Sequence, residues 1–256
     1  MPPLAVQEEI VLTLDSFVEL EAELEARKVQ YVHYRDQLLS RESLERMAGG
    51  KIDTRELGDL ISDLRTGLNP RSNFQLNTPD AKYNYITVRE LGGMDILASG
   101  KTDKVNDAGL DLIRRRSHLN AGDVLFSGTG TIGNTALVRK KPVDWGIKEG
   151  VYALTPKPGL LDSKYLIYLM HSTSSTDWFN RMKSGGTVQS ISMSKLKTMP
   201  VALPPLGVQK RVVEILDRFD ALATSLTDGL PAEIAARRGQ CEYYRDRLLD
   251  FPRKEA

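Results

Sequence analysis

The longest regular pattern of apolar positions lies between Val6 and about Leu39, where no proline or glycine interrupts the chain. Apolar and aromatic side chains recur there at spacings of three and four, which is the period of one helix face. This stripe consists of Thr13, Phe17, Leu20, Leu24, Tyr31, Tyr34 and Leu38, with Arg27 filling the gap. The pattern predicts one helix roughly 50 Å long. Because a lone helix with a narrow apolar stripe is unstable in water, we expect it to pair with another helix.

The same pattern returns near the end of the chain. The segment Pro3-Leu4-Ala5-Val6-Gln7 reappears as Pro205-Leu206-Gly207-Val208-Gln209. Further along the two copies, the sequence match resumes only after eight extra residues in the second copy. Those residues fall around Gly229 and Pro231, which indicate the end of one helix and the start of another. Two copies around a different middle predict two long helices that pair as an antiparallel coiled coil.

The residues expected in this helix pair lie on the repeated stripe. They are Leu20, Leu24, Tyr31, Tyr34, Leu38, Leu222, Leu226, Cys241, Tyr244 and Leu248. Within that set, the pattern predicts that the face around Tyr34 touches the face around Tyr244, since the two faces carry matching residues.

Between the two copies, the long helical stripe gives way to short apolar runs separated by glycine, serine, threonine and asparagine. Alternating or clustered β-type residues predict strands at 83–88, 123–127, 135–138 and 150–154. Helices are expected at 163–169 and 178–182, and a long exposed loop or weak helix at 99–122. We therefore predict an α+β fold, in which a mixed α/β globular domain is flanked by the two long helices. The predicted limits are 1–48 for the first helical region, 49–203 for the globular domain and 204–256 for the second helical region.

Charge is distributed unevenly along the chain, although the net charge is only +1. Residues 1–48 carry five basic and ten acidic side chains, and residues 201–256 carry nine of each. Residues 49–200 therefore hold 21 basic against 15 acidic side chains, an excess of six. A basic module between neutral or acidic helices suits a polyanionic partner.

Composition also limits the cellular setting. Cys241 is the single cysteine, which excludes an internal disulfide and a cysteine-rich metal site and fits a reducing cytosol. No apolar run approaches the ~18 residues of a membrane span. The start of the chain lacks the pattern of a secretory signal. These features predict a cytoplasmic protein with no membrane partner.

Catalytic motifs are weak in this sequence. Gly128-Thr129-Gly130-Thr131-Ile132-Gly133 has the spacing of a dinucleotide-binding turn, but strand-forming residues follow it where a helix is required. A nuclease pattern assembled from Asp80 and Lys164 would join positions far apart in the sequence. The three histidines are scattered without ligand spacing, and neither a phosphate-binding P-loop nor an amino-methylation motif occurs. We therefore predict no catalytic residue and no metal site.

Several basic and polar segments suit nucleic-acid binding instead. The run of three arginines at 114–116 favours phosphate contacts and an ordinary solvated charge run about equally. Glycines in the segment 183–192 would let backbone amides approach a phosphate, and Gln189 would read an adenine edge; the alternative is a plain surface loop. The candidate DNA contacts of this kind are Arg65, Arg71, Arg114, Arg115, Arg116, Lys183, Ser184, Thr187, Gln189 and Ser190.

Five motifs together resemble the specificity subunit of type I restriction-modification enzymes. The first three, in the second helical copy, are Leu203-Pro204-Pro205-Leu206-Gly207-Val208-Gln209 with Val213-Glu214-Ile215-Leu216-Asp217, then the segments 229–238 and 243–249. The other two, in the middle, are the segment 122–133 and Thr187-Val188-Gln189-Ser190-Ile191. The resemblance covers almost the whole chain and adds Ser127, Thr129 and Thr131 to the candidate DNA contacts.

The resemblance implies a non-catalytic subunit that recognises double-stranded DNA. In this family, recognition domains alternate with helical regions, and each recognition domain reads one half of a split site through the major groove. The subunit docks modification (methyltransferase) subunits, which use S-adenosylmethionine to methylate adenine, and a motor/nuclease subunit that uses ATP and Mg. None of these cofactors is expected to bind this chain itself.

The chain differs from the full family pattern in having one recognition domain instead of two. The expectation is a half-length form, and three versions stay open: a natural half that pairs with a second copy of itself, a split product that needs a separate chain with the other recognition domain, or a non-functional remnant. The competing hypothesis is a helical-hairpin adaptor that binds something other than DNA. A third hypothesis is an enzyme, but the sequence lacks the motifs that an enzyme of this kind requires.

Overall fold

The long first helix that the sequence predicts is present as α1, which runs over Leu4–Leu38. The second copy of the repeat is helical over residues 206–221. The structure, a computed structural model, describes residues 3–71, 73–142, 144–221, 239 and 242–243. In this part of the chain, no helix is long and apolar enough to cross a membrane.

Internal contacts divide the chain into two units. The helical unit comprises Met1–Tyr34 and Ile215–Ala256, and the globular unit comprises Arg35–Glu214. The sequence-based limits at 48/49 and 203/204 stay a prediction.

The helical unit contains a direct contact between α1 and the second helix. The rings of Tyr34 and Phe219 stack with their centroids 6.0 Å apart and their planes 8° apart. The predicted contact between the Tyr34 face and the face around Tyr244 stays a prediction, because Tyr244 lies outside the described residues. Phe219 belongs to the described part of the second helix, so the end of α1 contacts that part.

The other predicted helix-pair residues are described in part. Tyr31 and Leu38 are half-buried. Leu20 and Leu24 belong to α1, but their side chains are not among those described. The remaining members lie outside the described residues; these are Leu222, Leu226, Cys241, Tyr244 and Leu248.

The globular unit contains six further helices and nine strands within the described residues. The helices are α2 Arg41–Ala48, α3 Leu57–Leu60, α4 Asp107–Ser117, α5 Ser163–Met170, α6 Thr173–Met182 and α7 Met193–Lys197, with a short 3-10 turn at Val88–Glu90. The strands are β1 Asp53–Glu56, β2 Ile61–Thr66, β3 Tyr83–Ile86, β4 Lys104–Val105, β5 Val124–Ser127, β6 Thr135–Leu137, β7 Trp145–Ile147, β8 Val151–Pro156 and β9 Pro200–Leu203.

These strands form three sheets. The largest has the order β2-β8-β5-β6, and every neighbouring pair in it is antiparallel. In a second sheet, β3 pairs antiparallel with β4 and parallel with β7. The third consists of β1 and β9, with Asp53 opposite Leu203. The mixed α+β class predicted from the sequence is therefore confirmed.

The core forms where buried strands meet helices. All four residues of β5 are buried, and the apolar cluster around Leu125 includes Ile147 of β7 and Ala153 of β8. Helix α5 is buried from Tyr165 to Met170, which is why its sequence is apolar on every side. Burial removes each such side chain from water and stabilises the fold by about 1.5–3 kcal/mol per large residue.

Helix α4 is more regular than its sequence suggests. The expectation for residues 99–122 is a loop or weak helix, whereas α4 covers three turns of that segment. Asn106 caps its start by accepting a hydrogen bond from the Gly109 amide, and His118 ends it in the left-handed conformation. These caps supply hydrogen bonds that the intervening residues alone cannot provide.

Candidate nucleic-acid interface

Two loops predicted to bind DNA lie side by side. The hairpin loop, residues 128–134, joins β5 to β6, and the glycine loop, residues 183–190, follows α6. The amide of Gly130 donates to the Gln189 carbonyl at 2.9 Å, and Thr129 pairs with Ser190 in an antiparallel bridge. The two segments, distant in sequence, therefore form one polar surface.

Glycine is required where the hairpin loop begins. A Cβ atom on Gly128 would lie 2.1 Å from Cε2 of Tyr152, so the close approach of these residues excludes any side chain. The hydroxyl of Tyr152 donates to the Ile191 carbonyl at 2.8 Å, while Ile191 donates its amide to the Gly128 carbonyl at 2.9 Å. Burial raises the pKa of the Tyr152 hydroxyl, which keeps it protonated and able to donate.

Ser127 is a structural residue rather than a DNA contact. Its side chain is fully buried. Its hydroxyl donates to the Thr131 carbonyl and accepts from the Asn134 amide at 2.8 Å. The expectation that Ser127 contacts DNA is therefore corrected: the hydroxyl closes the hairpin loop from inside.

Gln189 also braces its own loop. Its side-chain Nε2 donates to the Gly185 carbonyl at 2.8 Å and to the Gly186 carbonyl at 3.1 Å. Reading an adenine edge needs a free amide donor, and in this conformation both hydrogens of Gln189 are engaged. In this conformation Gln189 stabilises its own loop, and its role in reading a base stays a prediction.

The remaining loop candidates are available at the surface. Thr129 is half-buried beside Gly150, and Ser190 is half-buried where its hydroxyl donates to the Ser184 carbonyl at 3.4 Å. The exposed ones are Thr131, Lys183, Ser184 and Thr187.

A polar cleft of about 400 Å³ opens between the two loops and α6. Sequence reasoning misses several of its lining residues, namely Arg35, Asn134, His171, Thr176 and Asn180. Thr176 and Asn180, four residues apart, lie on one face of α6, and Lys183 follows directly after the end of this helix. The Lys183 ammonium donates to Asn180 Oδ1 at 3.1 Å, and the Asn180 amide donors make no hydrogen bond within the described residues. The four-residue spacing of Thr176 and Asn180 is the feature of the sequence from which this polar helix face could have been predicted.

Arg65 does not face solvent. It is 9% exposed, and its guanidinium donates to the Ser117 carbonyl at 2.6 Å and to Asp63 and Thr155 at 2.8 Å each. It also forms an ion pair with Asp123, whose side chain is fully buried. The expectation that Arg65 grips phosphate is therefore wrong, because its donors already serve this internal network.

None of the other arginine candidates lines the cleft between the two loops. Arg114, Arg115 and Arg116 occupy the last turn of α4, and the last two are exposed. Arg71 is exposed in the connection between β2 and β3. The residues just before β5 and just after β6 form the open end of this hairpin, and the α4 arginines adjoin that end rather than the loop end.

The two loops and the cleft between them present polar groups that can bind a ligand. Within the described residues, no group of three or more histidine, cysteine, aspartate or glutamate side chains is arranged to hold a metal ion. The loops offer hydroxyls, amides and one lysine, the groups with which proteins contact nucleic-acid phosphates and base edges.

Comparison with known proteins agrees with this class of site. Residues 50–236 match the family model described as type I restriction modification DNA specificity domain. The specificity subunit of the Escherichia coli type I restriction enzyme EcoR124I/EcoR124II is 33% identical over 264 residues, covering 98% of this chain and 61% of that one. The Mycoplasma pneumoniae type I specificity subunit S.MpnORF615P is 27% identical over 247 residues, covering 95% of this chain and 89% of that one.

A solved structure shows the same fold. The type I restriction-modification system S subunit from M. genitalium superposes with a TM-score of 0.54 at 14% identity, covering 98% of this chain and 61% of that chain. The chain belongs to the type I restriction-modification DNA specificity domain family. It spans about three fifths of the length of the Escherichia coli relative.

Proposed function

We propose that this chain is a non-catalytic DNA-recognition subunit of a type I restriction-modification complex. One observation carries the proposal: in a domain of the DNA specificity family, two separate polar loops are fastened together into one exposed surface. A surface held by backbone hydrogen bonds keeps its side chains in place before the ligand arrives, which lowers the entropic cost of binding.

The loop surface divides naturally into phosphate contacts and base contacts. Lys183 carries a charge for a backbone phosphate, and the exposed hydroxyls of Thr131 and Thr187 donate to phosphate oxygens. Asn180 has the amide pair that reads adenine in the major groove, and it stands on a helix rather than on a loop. We assign base reading to Asn180 and bracing to Gln189.

In this proposal, the partner subunits catalyse the reactions. Modification subunits would bind S-adenosylmethionine and methylate adenine, and a motor/nuclease subunit would use ATP and Mg. The role of this chain is to hold those subunits at a chosen DNA sequence, for which affinity and sequence choice suffice.

The two long helices are proposed to form an antiparallel coiled coil that acts as a spacer. The stacking of Tyr34 on Phe219 supports the antiparallel direction. The repeated stripe in the sequence supports its continuation along α1. A second recognition domain, from another copy of this chain or from a separate chain, would complete a split DNA site at a distance fixed by this spacer.

The proposal is tested by purifying the full chain together with its modification subunits and mapping adenine methylation on plasmid DNA. We expect methylation at one recurring sequence, and no methylation when this chain is left out. Co-purification without methylation at any sequence would favour the adaptor reading. Failure of both co-purification and duplex binding would point to a remnant.

A further inference from the structure

A second cleft, of about 600 Å³, opens at the open end of the β5–β6 hairpin. The last turn of α4 forms one wall, with Arg114 and Arg115, and the segment after β6 forms the other, with Lys141. Four strand residues separate this end from the hairpin loop, a distance of about 13 Å at 3.3 Å per residue. The cleft is therefore distinct from the loop surface.

The charge of this cleft is uncompensated. None of the residues that line it is acidic. Arg115 and Lys141 make no ion pair or hydrogen bond with any residue that the structure describes, and Arg114 reaches Asp111 only at 4.0 Å. Two exposed arginines elsewhere in the globular unit do have acidic partners: Arg89 pairs with Asp103 at 3.0 Å, and Arg139 pairs with Asp95 at 2.7 Å. Cations left without partners side by side repel one another, which a bound anion would relieve.

The cleft also has an apolar floor. Trp145 and Leu119 line it beside Pro142. Trp145 is half-buried and packs against the core cluster, so it presents a fixed surface rather than a mobile side chain. Flat apolar surface flanked by cations matches a sugar–phosphate chain, in which apolar deoxyribose faces alternate with charged phosphates.

The buried Arg65 network holds one wall of the cleft in position. Arg65 bonds the carbonyl of Ser117 at the end of α4, and it pairs with Asp123 just before β5. Asp123 in turn accepts the amide hydrogen of Asn120 at 2.8 Å. The turn between α4 and β5 is thereby fixed from the core side, which fixes the backbone that carries Arg114 and Arg115.

We propose that this cleft binds the sugar–phosphate backbone of duplex DNA, through Arg114, Arg115, Lys141 and the face of Trp145. The inference rests on the proposed DNA-binding function and adds a site that carries affinity without sequence choice.

The test is a titration of the full chain with a mixed-sequence 30-base-pair duplex at several salt concentrations. The Arg115→Ala/Lys141→Ala variant is compared with Lys51→Ala/Lys101→Ala, which removes the same charge from exposed positions outside the cleft. Losing two phosphate contacts should lower the slope of log affinity against log salt by about 1.8 and the affinity at 0.15 M salt by about 30-fold. Arg115→Lys/Lys141→Arg, which keeps both charges, should retain most of the slope.

The outcomes separate the two levels of the proposal. If the unaltered chain binds this duplex with a steep salt slope and the cleft variant does the same, the inference is overturned while the proposed function stands. If the unaltered chain does not bind the duplex at all, the proposed function fails. If the cleft variant binds duplex normally but no longer co-purifies with the modification subunit, the cleft is a protein-docking surface and the inference is wrong.

Discussion

The two ends of the β5–β6 hairpin use polar groups in opposite ways. At the loop end, side chains of Ser127 and Gln189 are spent on hydrogen bonds within their own loops. At the open end, Arg115 and Lys141 have no partner among the described residues, and the groups beneath them are fully paired. Polar side chains at the loop end therefore hold the loops in one conformation, whereas those at the open end leave positive charge accessible to a ligand. Sequence choice needs fixed shape, whereas affinity for a polyanion needs free charge.

The largest expected effect comes from the buried ion pair beneath the open end. Arg65→Ala leaves the Asp123 carboxylate buried without its cation, and we expect a loss of about 3–5 kcal/mol in the free energy of unfolding. Urea denaturation measures this loss. The matched control is Arg89→Ala, which breaks an exposed pair with Asp103 and should cost about 1 kcal/mol or less. Equal losses in the two variants would contradict the structural role of Arg65.

The close approach of Gly128 and Tyr152 at the loop end predicts the next effect. Gly128→Ala forces a Cβ atom into the tyrosine ring, and overpacking of this kind costs about 1–3 kcal/mol. The control is Gly186→Ala in the glycine loop, where an added Cβ meets no atom within 4 Å. Thermal unfolding of both variants tests the contact, and an unchanged melting temperature for Gly128→Ala would show that the loops are not fastened as described.

Asn180 tests whether the loop end chooses sequence. Asn180→Ala should reduce discrimination at one base pair by about 1–3 kcal/mol without altering the melting temperature, because the residue is exposed. Asp177→Asn is the control, since Asp177 is exposed on the same helix but does not line the cleft. Selection of bound duplexes from a random pool measures the preference. An identical consensus for Asn180→Ala and the unaltered chain would remove Asn180 from base reading.

The smallest effect concerns the helical unit. Tyr34 and Phe219 are 43% and 38% exposed, so their stacking should contribute at the low end of about 0.5–1.5 kcal/mol. A double-mutant cycle with Tyr34→Ala and Phe219→Ala measures the coupling between them. Val29, which is 63% exposed, replaces Phe219 in the control cycle and should give no coupling. Absence of coupling between Tyr34 and Phe219 would argue against the helix pair.

Periodic features were predictable from the sequence, and individual partners were not. The spacing of apolar residues is sufficient to identify α1 and the mixed α+β middle, because periodicity records which face is buried. The role of Arg65 was not predictable, since its partners Ser117 and Asp123 lie 52 and 58 residues away along the chain. A charged residue looks the same in a sequence whether its counter-ion is an internal aspartate or an external phosphate.

The contacts within the candidate site were likewise not predictable from the sequence. Segment 183–192 was identified from its glycines and polar side chains, and segment 122–133 from the family resemblance, but nothing local indicates that the two join. Gln189 was chosen for its amide, which the fold uses internally, whereas Asn180 lies inside the helix predicted at 178–182 and nothing in that short polar segment marked it as a contact. Long-range backbone pairing decides both outcomes.

The most direct test of the central claim is selection of duplexes from a random pool by the full chain, combined with the modification subunits proposed as its partners. The unaltered chain, Asn180→Ala and Arg115→Ala/Lys141→Ala are compared at one salt concentration. We predict one consensus for the unaltered chain, the same consensus with weaker binding for the cleft variant, and an altered consensus for Asn180→Ala. Enrichment of no sequence by the unaltered chain, or an altered consensus for the cleft variant alone, would contradict the division between shape at one end and charge at the other.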